Sequence, residues 1–200
     1  MTEQILTPQS NTAVQILFEG AKELLGVDQM RRVLGELVPL EMARSGFAAS
    51  HFLQTLESIY GVSGGRGLAL CVGRAVFRYG IKQFGDEAGL NSQAYRLLPT
   101  PRKIEQGLIV LAHLASERFG DDVSLSEGET YWTWQSNNCP VCRGRHVDSP
   151  CCYLTVGMLQ EFMLWAGNGR FYRVNETHCC AVPGSQSAAC IFRIDKQPLD

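Results

Sequence analysis

Seven of the chain's eight cysteines fall between Cys139 and Cys190. Within that segment, Glu176-Thr177-His178-Cys179 is followed by Cys190, and Cys152 stands upstream at the start of a helical pattern. Thiolates are soft ligands that bind a d10 cation tightly, and a helix N-terminus favours the thiolate form of a cysteine placed there. A strand, a turn and a second strand can bring Cys179 and Cys190 together. With Cys152 and Glu176 they make three sulfurs and one carboxylate, a four-coordinate zinc set with no vacant position for water. Such a closed site braces structure and does not catalyse, so no catalytic residue is assigned. The alternative is that these cysteines pack simply as small apolar groups. Of the histidines, His51 and His113 sit in helical patterns as core or surface residues, and only His178 lies inside the acid-cysteine motif.

Cys139-Pro140-Val141-Cys142 is a second group, read as separate from the first. Its two-residue spacer suits tetrahedral zinc, with Cys151, Cys180 or His146 available to complete a set. It also suits a thiol redox pair, although the βαβ context of a thioredoxin-like site is missing. An inert pair, or an iron–sulfur cluster drawing on both groups, completes the alternatives.

Aromatic and sulfur side chains gather in the same third of the chain. Most belong to a core by their spacing. Trp132, Trp134, Met158, Phe162, Trp165 and Phe171 are taken as the lining of an apolar ligand cavity beside the metal, because methionines and aromatics line adaptable pockets. Arg66, Arg74, Arg78 and Lys82 share one helical face, either as a salt-bridged stripe or as the binding site for an acidic ligand group. Gly61-Val62-Ser63-Gly64-Gly65 matches the nucleophile-elbow pattern formally, but a helix and no strand precedes it, so Ser63 is set aside. For the same reason the local glycines make no dinucleotide fingerprint, and no phosphate loop is present.

These side chains need a scaffold, and a chain of 200 residues with 45% apolar and 19% charged residues can build one core. The expected organisation is a tail over residues 1–10 and a single domain over 11–198, with 139–194 its cysteine-rich part. A net charge of −2 with no basic run argues against a nucleic-acid partner. No signal-peptide start and no membrane-length apolar run is found, so a cytoplasmic protein is expected, in whose reducing surroundings dense cysteines are metal-bound or free.

Hydrophobic periodicity predicts helices over Asn11–Leu25, capped at Asn11 or Thr12 and stopped by Gly26, and over Asp28–Leu37. Pro39–Gly46 reads as a connection. Further helices follow over Ala48–Tyr60, ending at Gly61, over Gly64–Gly85, from Pro101 to Gly120, and over Cys151–Ala166, stopped by Gly167-Asn168-Gly169. The small residues Gly65, Ala69, Gly73 and Gly80 mark a helix that is approached closely, either centrally or at a dimer seam. Val123–Gln135 reads as two strands broken near Gly128, Asn137–Pro150 as a loop, and Phe171–Val174 and Cys190–Ile194 as strands parted by a Pro183-Gly184 turn. Helices first, then a small antiparallel sheet with one helix inserted between its strands, make an α+β fold.

Three runs then resemble the 4-vinyl reductase domain family: Ser149-Pro150-Cys151-Cys152 through Gly157, Arg173 through Cys179, and Cys190-Ile191-Phe192-Arg193-Ile194. Gly65 through Leu70 and Gly73 through Gly80 are similar to its central helix. The family includes bacteriochlorophyll-biosynthesis protein J, hydrocarbon-binding proteins and the sensory domains of phenol- and xylene-responsive regulators. The resemblance implies the fold of nitric-oxide-sensing haem domains and of TRAPP vesicle-tethering subunits, dimeric and with an apolar cavity. It implies zinc at Cys152, Glu176, Cys179 and Cys190. The stretch from Cys179 to Cys190 is longer than the family's usual turn, and Cys180 beside Cys179 leaves the ligand register open by one residue. The leading expectation is a non-catalytic domain that senses or carries a hydrophobic or tetrapyrrole-like ligand as a homodimer. The rival is a 4-vinyl reductase of chlorophyll biosynthesis, or an accessory that presents its substrate, although no nicotinamide or flavin motif supplies a hydride.

Overall fold

The computed structural model describes residues 8–34, 48–185 and 187–199. Among these, five helices and four strands follow in order: α1 (Pro8–Leu34), α2 (Ala48–Phe84), α3 (Gln93–Arg96), α4 (Thr100–Arg118), β1 (Val123–Glu127), β2 (Tyr131–Ser136), α5 (Tyr153–Ala166), β3 (Tyr172–His178) and β4 (Cys190–Pro198). The sheet is antiparallel in the order β1-β2-β4-β3, with α5 inserted between the second and third strands in sequence. This is the α+β arrangement that the periodicity predicts.

Each long helix is broken where the sequence places a stop. Gly26 (φ 72°, ψ 167°) divides α1 and Gly61 (φ 74°, ψ 163°) divides α2. Both lie in the left-handed half of backbone space, which glycine enters without steric cost. The axis therefore bends at each and resumes. The start of α1 differs from expectation: the helix begins at Pro8, so Asn11 and Thr12 lie inside it and do not cap it. Proline suits a first helical position because its missing N–H would be unpaired there in any case. The expected connection over Pro39–Gly46, residues 35–37 of the second helix and residues 1–7 of the tail lie outside the described residues.

The close approach expected along α2 is made by α5. A Cβ on Gly73 would lie 2.1 Å from the Leu154 carbonyl oxygen, and one on Gly157 would lie 2.0 Å from that of Leu70. The two glycines face each other's backbone, so the helices cross at main-chain contact. Phe52, Leu53, Leu56, Leu159 and Phe162 belong to the core these helices share and are essentially inaccessible to solvent. At its far end α5 stops as the sequence predicts. Asn168 is left-handed (φ 56°), and the Gly169 N–H donates back to the Leu164 carbonyl at 2.8 Å.

Strand alternation sets the inner face of the sheet: Trp132, Trp134 and Ser136 of β2, Cys190, Phe192 and Ile194 of β4, and Tyr172 and Val174 of β3 are buried. β3 and β4 both run four residues past the predicted ends. Their added residues are largely polar and exposed or half-buried, so apolar alternation gives no sign of them. The register pairs Ser136 with Cys190 and Glu176 with Phe192, which draws the ends of three strands into one corner.

Substituting Gly73→Ala or Gly157→Ala is expected to lower the melting temperature by roughly 4–10 °C, since the new methyl group meets backbone that cannot turn aside. Gly67→Ala, on the same helix with open space around it, is expected to raise it by about 2–4 °C. Thermal denaturation of the three variants followed by circular dichroism decides this.

Candidate functional site

Four segments converge on the corner where Cys190 begins β4. The β2–β4 register sets Ser136 beside Cys190, and three residues on, the chain reaches Cys139. The Cys139–Cys142 turn, the residue just before α5 and the end of β3 supply the remaining sulfurs. Cys139, Cys142, Cys151, Cys152, Cys179 and Cys190 are all buried. Cys71 and Cys180 are exposed.

The sulfurs are in mutual contact. Cys152 lies 3.7 Å from Cys190 and 4.0 Å from Cys179, and Cys179 lies 3.9 Å from Cys190. Glu176 joins them from β3: its Oε2 accepts the Cys152 backbone N–H at 2.7 Å, standing in for the side-chain cap that α5 lacks. Its Oε1 is buried with no hydrogen-bond partner among the described residues. Burial and the neighbouring Cys179 charge push the Glu176 carboxyl up to about 8. One oxygen is engaged and the other leaves a donor free beside three sulfurs. The donor set Cys152, Glu176, Cys179 and Cys190 therefore fits a thiophilic dication such as zinc.

The Cys139–Cys142 pair does not stand apart. Cys139 lies 3.5 Å from Cys152, and Cys142 lies 3.3 Å from Cys190. A second set of donors, Cys139, Cys142, Cys152 and Cys190, is thereby drawn together. Of the candidates named from sequence to complete the pair, His146 is exposed, Cys151 contacts Cys179 at 3.9 Å, and Cys180, exposed at the rim, touches both Cys142 at 3.4 Å and Cys190 at 3.6 Å. His178 is exposed too and meets the Thr177 hydroxyl at 3.2 Å. Acceptance of neighbouring thiol protons lowers Cys139 and Cys179, the first mainly from Cys142 and the second likewise. Cys190 and Cys152 are raised, chiefly by Cys139, and Cys142 is raised by the same neighbour.

The loop that carries Cys139 and Cys142 is bolted to α2. The Ser50 hydroxyl donates to the Arg143 carbonyl at 2.7 Å, and Glu57, largely buried in the same helix, pairs with both Arg66 and Arg145. Arg66 also donates to Ser149 at 2.8 Å. The remaining members of the basic stripe are engaged as well: Arg74 with Gln160, Arg78 with Glu23 and Glu161, and Lys82 over the Tyr79 ring. The stripe is a salt-bridged seam.

Beside the cluster lies a cavity of about 380 Å3 between α1, α2, α4, α5 and the sheet. Val76, Ile81, Leu111, Leu154 and Met158 give it an apolar wall, while Arg118, Asp121 and Arg143 gather at one end. Pro140 and Val141, between the two cysteines, also face it. Of the lining expected from sequence, Trp134 and Met158 reach the cavity. Trp132 lies instead in a shallow groove with Ile109 and Leu125. Phe162 and Trp165 pack with Phe77 and Tyr95 in an aromatic group, Trp165 stacked on Tyr95 at 5.7 Å, and Phe171 is 53% exposed. The lining from α1 and α2 gives no signal in the sequence, since small and aliphatic residues that face a void carry the same helical spacing as those that face a neighbour.

Two solved structures match this arrangement over nearly the whole chain. An Fe(II) unliganded H-NOX protein from K. algicida superposes with a TM-score of 0.57 at 8% identity, covering 95% of this chain and 98% of that one. A doubly substituted H-NOX protein designated Tt gives 0.52 at 11% identity, covering 95% and 96%. The fold is the nitric-oxide-signalling ligand-binding fold of the H-NOX proteins. No family model and no curated protein matches the sequence. A haem held through an axial histidine does not fit this chain, because His51, His113, His146 and His178 are all exposed and none lines the cavity. Among the described residues no helix is long and apolar enough to cross a membrane.

In the folded protein a maleimide is expected to label two thiols quickly, Cys71 and Cys180, with the other six reacting only in denaturant. Intact-mass counting of adducts over time checks this.

Proposed function

We infer that the chain is a non-catalytic domain that binds a small hydrophobic molecule, as sensor or carrier, with a zinc ion at Cys152, Glu176, Cys179 and Cys190 bracing the cavity wall. The bare, buried Glu176 Oε1 beside three sulfurs carries the metal half of this reading. The apolar cavity carries the other half: its volume falls within the range of small-molecule sites. Its one polar end and the unpartnered, buried Trp134 Nε1–H suit a ligand that is mostly apolar with a hydrogen-bond acceptor. The resemblance to the 4-vinyl reductase domain family supports the same assignment, and with it a homodimer. Exposed apolar residues near the two helix breaks, Leu24 and Val27 on α1 and Ile59 and Val62 on α2, offer surface for a second copy.

The zinc site and the cavity meet in one loop. Cys139 and Cys142 point into the sulfur cluster while Pro140 and Val141 face the void, so a change in the cluster alters the wall directly. That connection gives a sensor its route from pocket to surface.

Gly80 lines the cavity and has open space where a side chain would go. Gly80→Leu is expected to fold with unchanged metal content and to weaken binding of an apolar fluorescent probe at least tenfold, as titration of the two proteins would read. Equal affinity would place the ligand elsewhere. Loss of a vinyl group from a porphyrin by the purified protein with NADPH would put the enzymatic rival first.

A further inference from the structure

The two donor sets share an edge. Cys152 and Cys190 belong to both; Cys139 and Cys142 are private to one, Glu176 and Cys179 to the other. We propose that both sets are filled at once, as a binuclear thiolate centre in which the Cys152 and Cys190 sulfurs bridge two d10 dications. The proposal rests on the zinc reading above and extends it to a second ion.

The distances carry it. A tetrahedral zinc with bonds of about 2.3 Å to sulfur sets its sulfurs about 3.8 Å apart. The shared edge, Cys152 to Cys190, is 3.7 Å. In one set Cys139 to Cys152 is 3.5 Å and Cys142 to Cys190 is 3.3 Å; in the other Cys152 to Cys179 is 4.0 Å and Cys179 to Cys190 is 3.9 Å. All are edges of a single ion's coordination shell. An iron–sulfur core, with inorganic sulfide between its irons, would hold the cysteine sulfurs of different irons much farther apart.

Ligand arithmetic agrees. Two tetrahedra joined on an edge need six ligands, and the two donor sets together offer six, five buried cysteines and one glutamate, with Cys151 and the exposed Cys180 touching the cluster from outside these sets. With one ion, Cys139 and Cys142 would join Cys151 as buried thiols outside the coordination shell. Charge permits this occupancy: five thiolates and a carboxylate on two dications carry the same net charge as three thiolates and a carboxylate on one. The remaining negative charge has a largely buried neighbour in Arg145, which follows the loop, donates its N–H to the Cys142 carbonyl at 3.0 Å and keeps Nη1 unpartnered among the described residues.

The test is metal stoichiometry of the full chain, by native mass spectrometry after zinc reconstitution and by 113Cd NMR after cadmium exchange. Two ions per chain are expected, with two cadmium resonances that couple to each other through the bridging sulfurs. The double variant Cys139→Ser/Cys142→Ser is expected to keep one. One ion in both the unaltered chain and this variant would overturn the second site while leaving the first standing. One ion lost in that variant but kept in Cys179→Ser would overturn both the bridge and the ligand set inferred above. Two uncoupled resonances would refute the shared edge, and no bound ion would refute both readings. The count in the unaltered chain decides even where a variant does not fold.

Discussion

Buried sulfur in contact with buried sulfur is the constraint around which the C-terminal half of this protein is arranged. A thiol is a small apolar group and costs little to bury, but a thiolate or carboxylate held away from water needs a counter-charge. Here a helix start, two strand ends and a turn put five cysteines and Glu176 into two donor sets that share Cys152 and Cys190. The same elements also pack together away from that corner, α5 on α2 and on β3, and β3 along β4. The N-terminus of α5, the Cys139–Cys142 loop and the β3–β4 pair meet at the corner through sulfur, and a cation bound by these donors would turn mutual repulsion into shared ligation.

The second organising contact is the glycine crossing of α2 and α5. The two backbones touch at Gly73 and Gly157, and Gly73, Val76, Gly80, Leu154 and Met158 of the same two helices border the cavity. The crossing and the sulfur corner sit at neighbouring points of α5, so the helix is fixed along its length while the wall made by Pro140 and Val141 depends on the cluster.

Much of this is legible in the sequence, for identifiable reasons. Gly26 and Gly61 interrupt periodic helices, and a residue that enters left-handed space freely is where a helix bends. Gly167-Asn168-Gly169 stops α5 by the same chemistry. The composition of the first donor set can be read because Glu176 and Cys179 sit near a strand end and Cys190 starts the next. What cannot be read is register. That Cys139 and Cys142 join the same sulfurs follows from Ser136 pairing with Cys190, a long-range fact that no local spacing encodes. The cavity lining is hidden for a related reason: Phe162 and Trp165 have the pattern of pocket residues, yet they meet Phe77 and Tyr95, while Val76, Gly80 and Ile81 border the void. Periodicity tells which face is turned inward and is silent on whether that face meets atoms or empty space.

If one cation-dependent corner holds four separate segments, hydrogen exchange before and after removal of metal by a chelator will show it. The amides at the start of α5, in the Cys139–Cys142 turn, at the end of β3 and at the start of β4 should lose protection together, while those of α1 and the second half of α2 keep theirs. Unchanged protection at all four segments, or an equal loss throughout the chain, would mean that no cation holds this corner together.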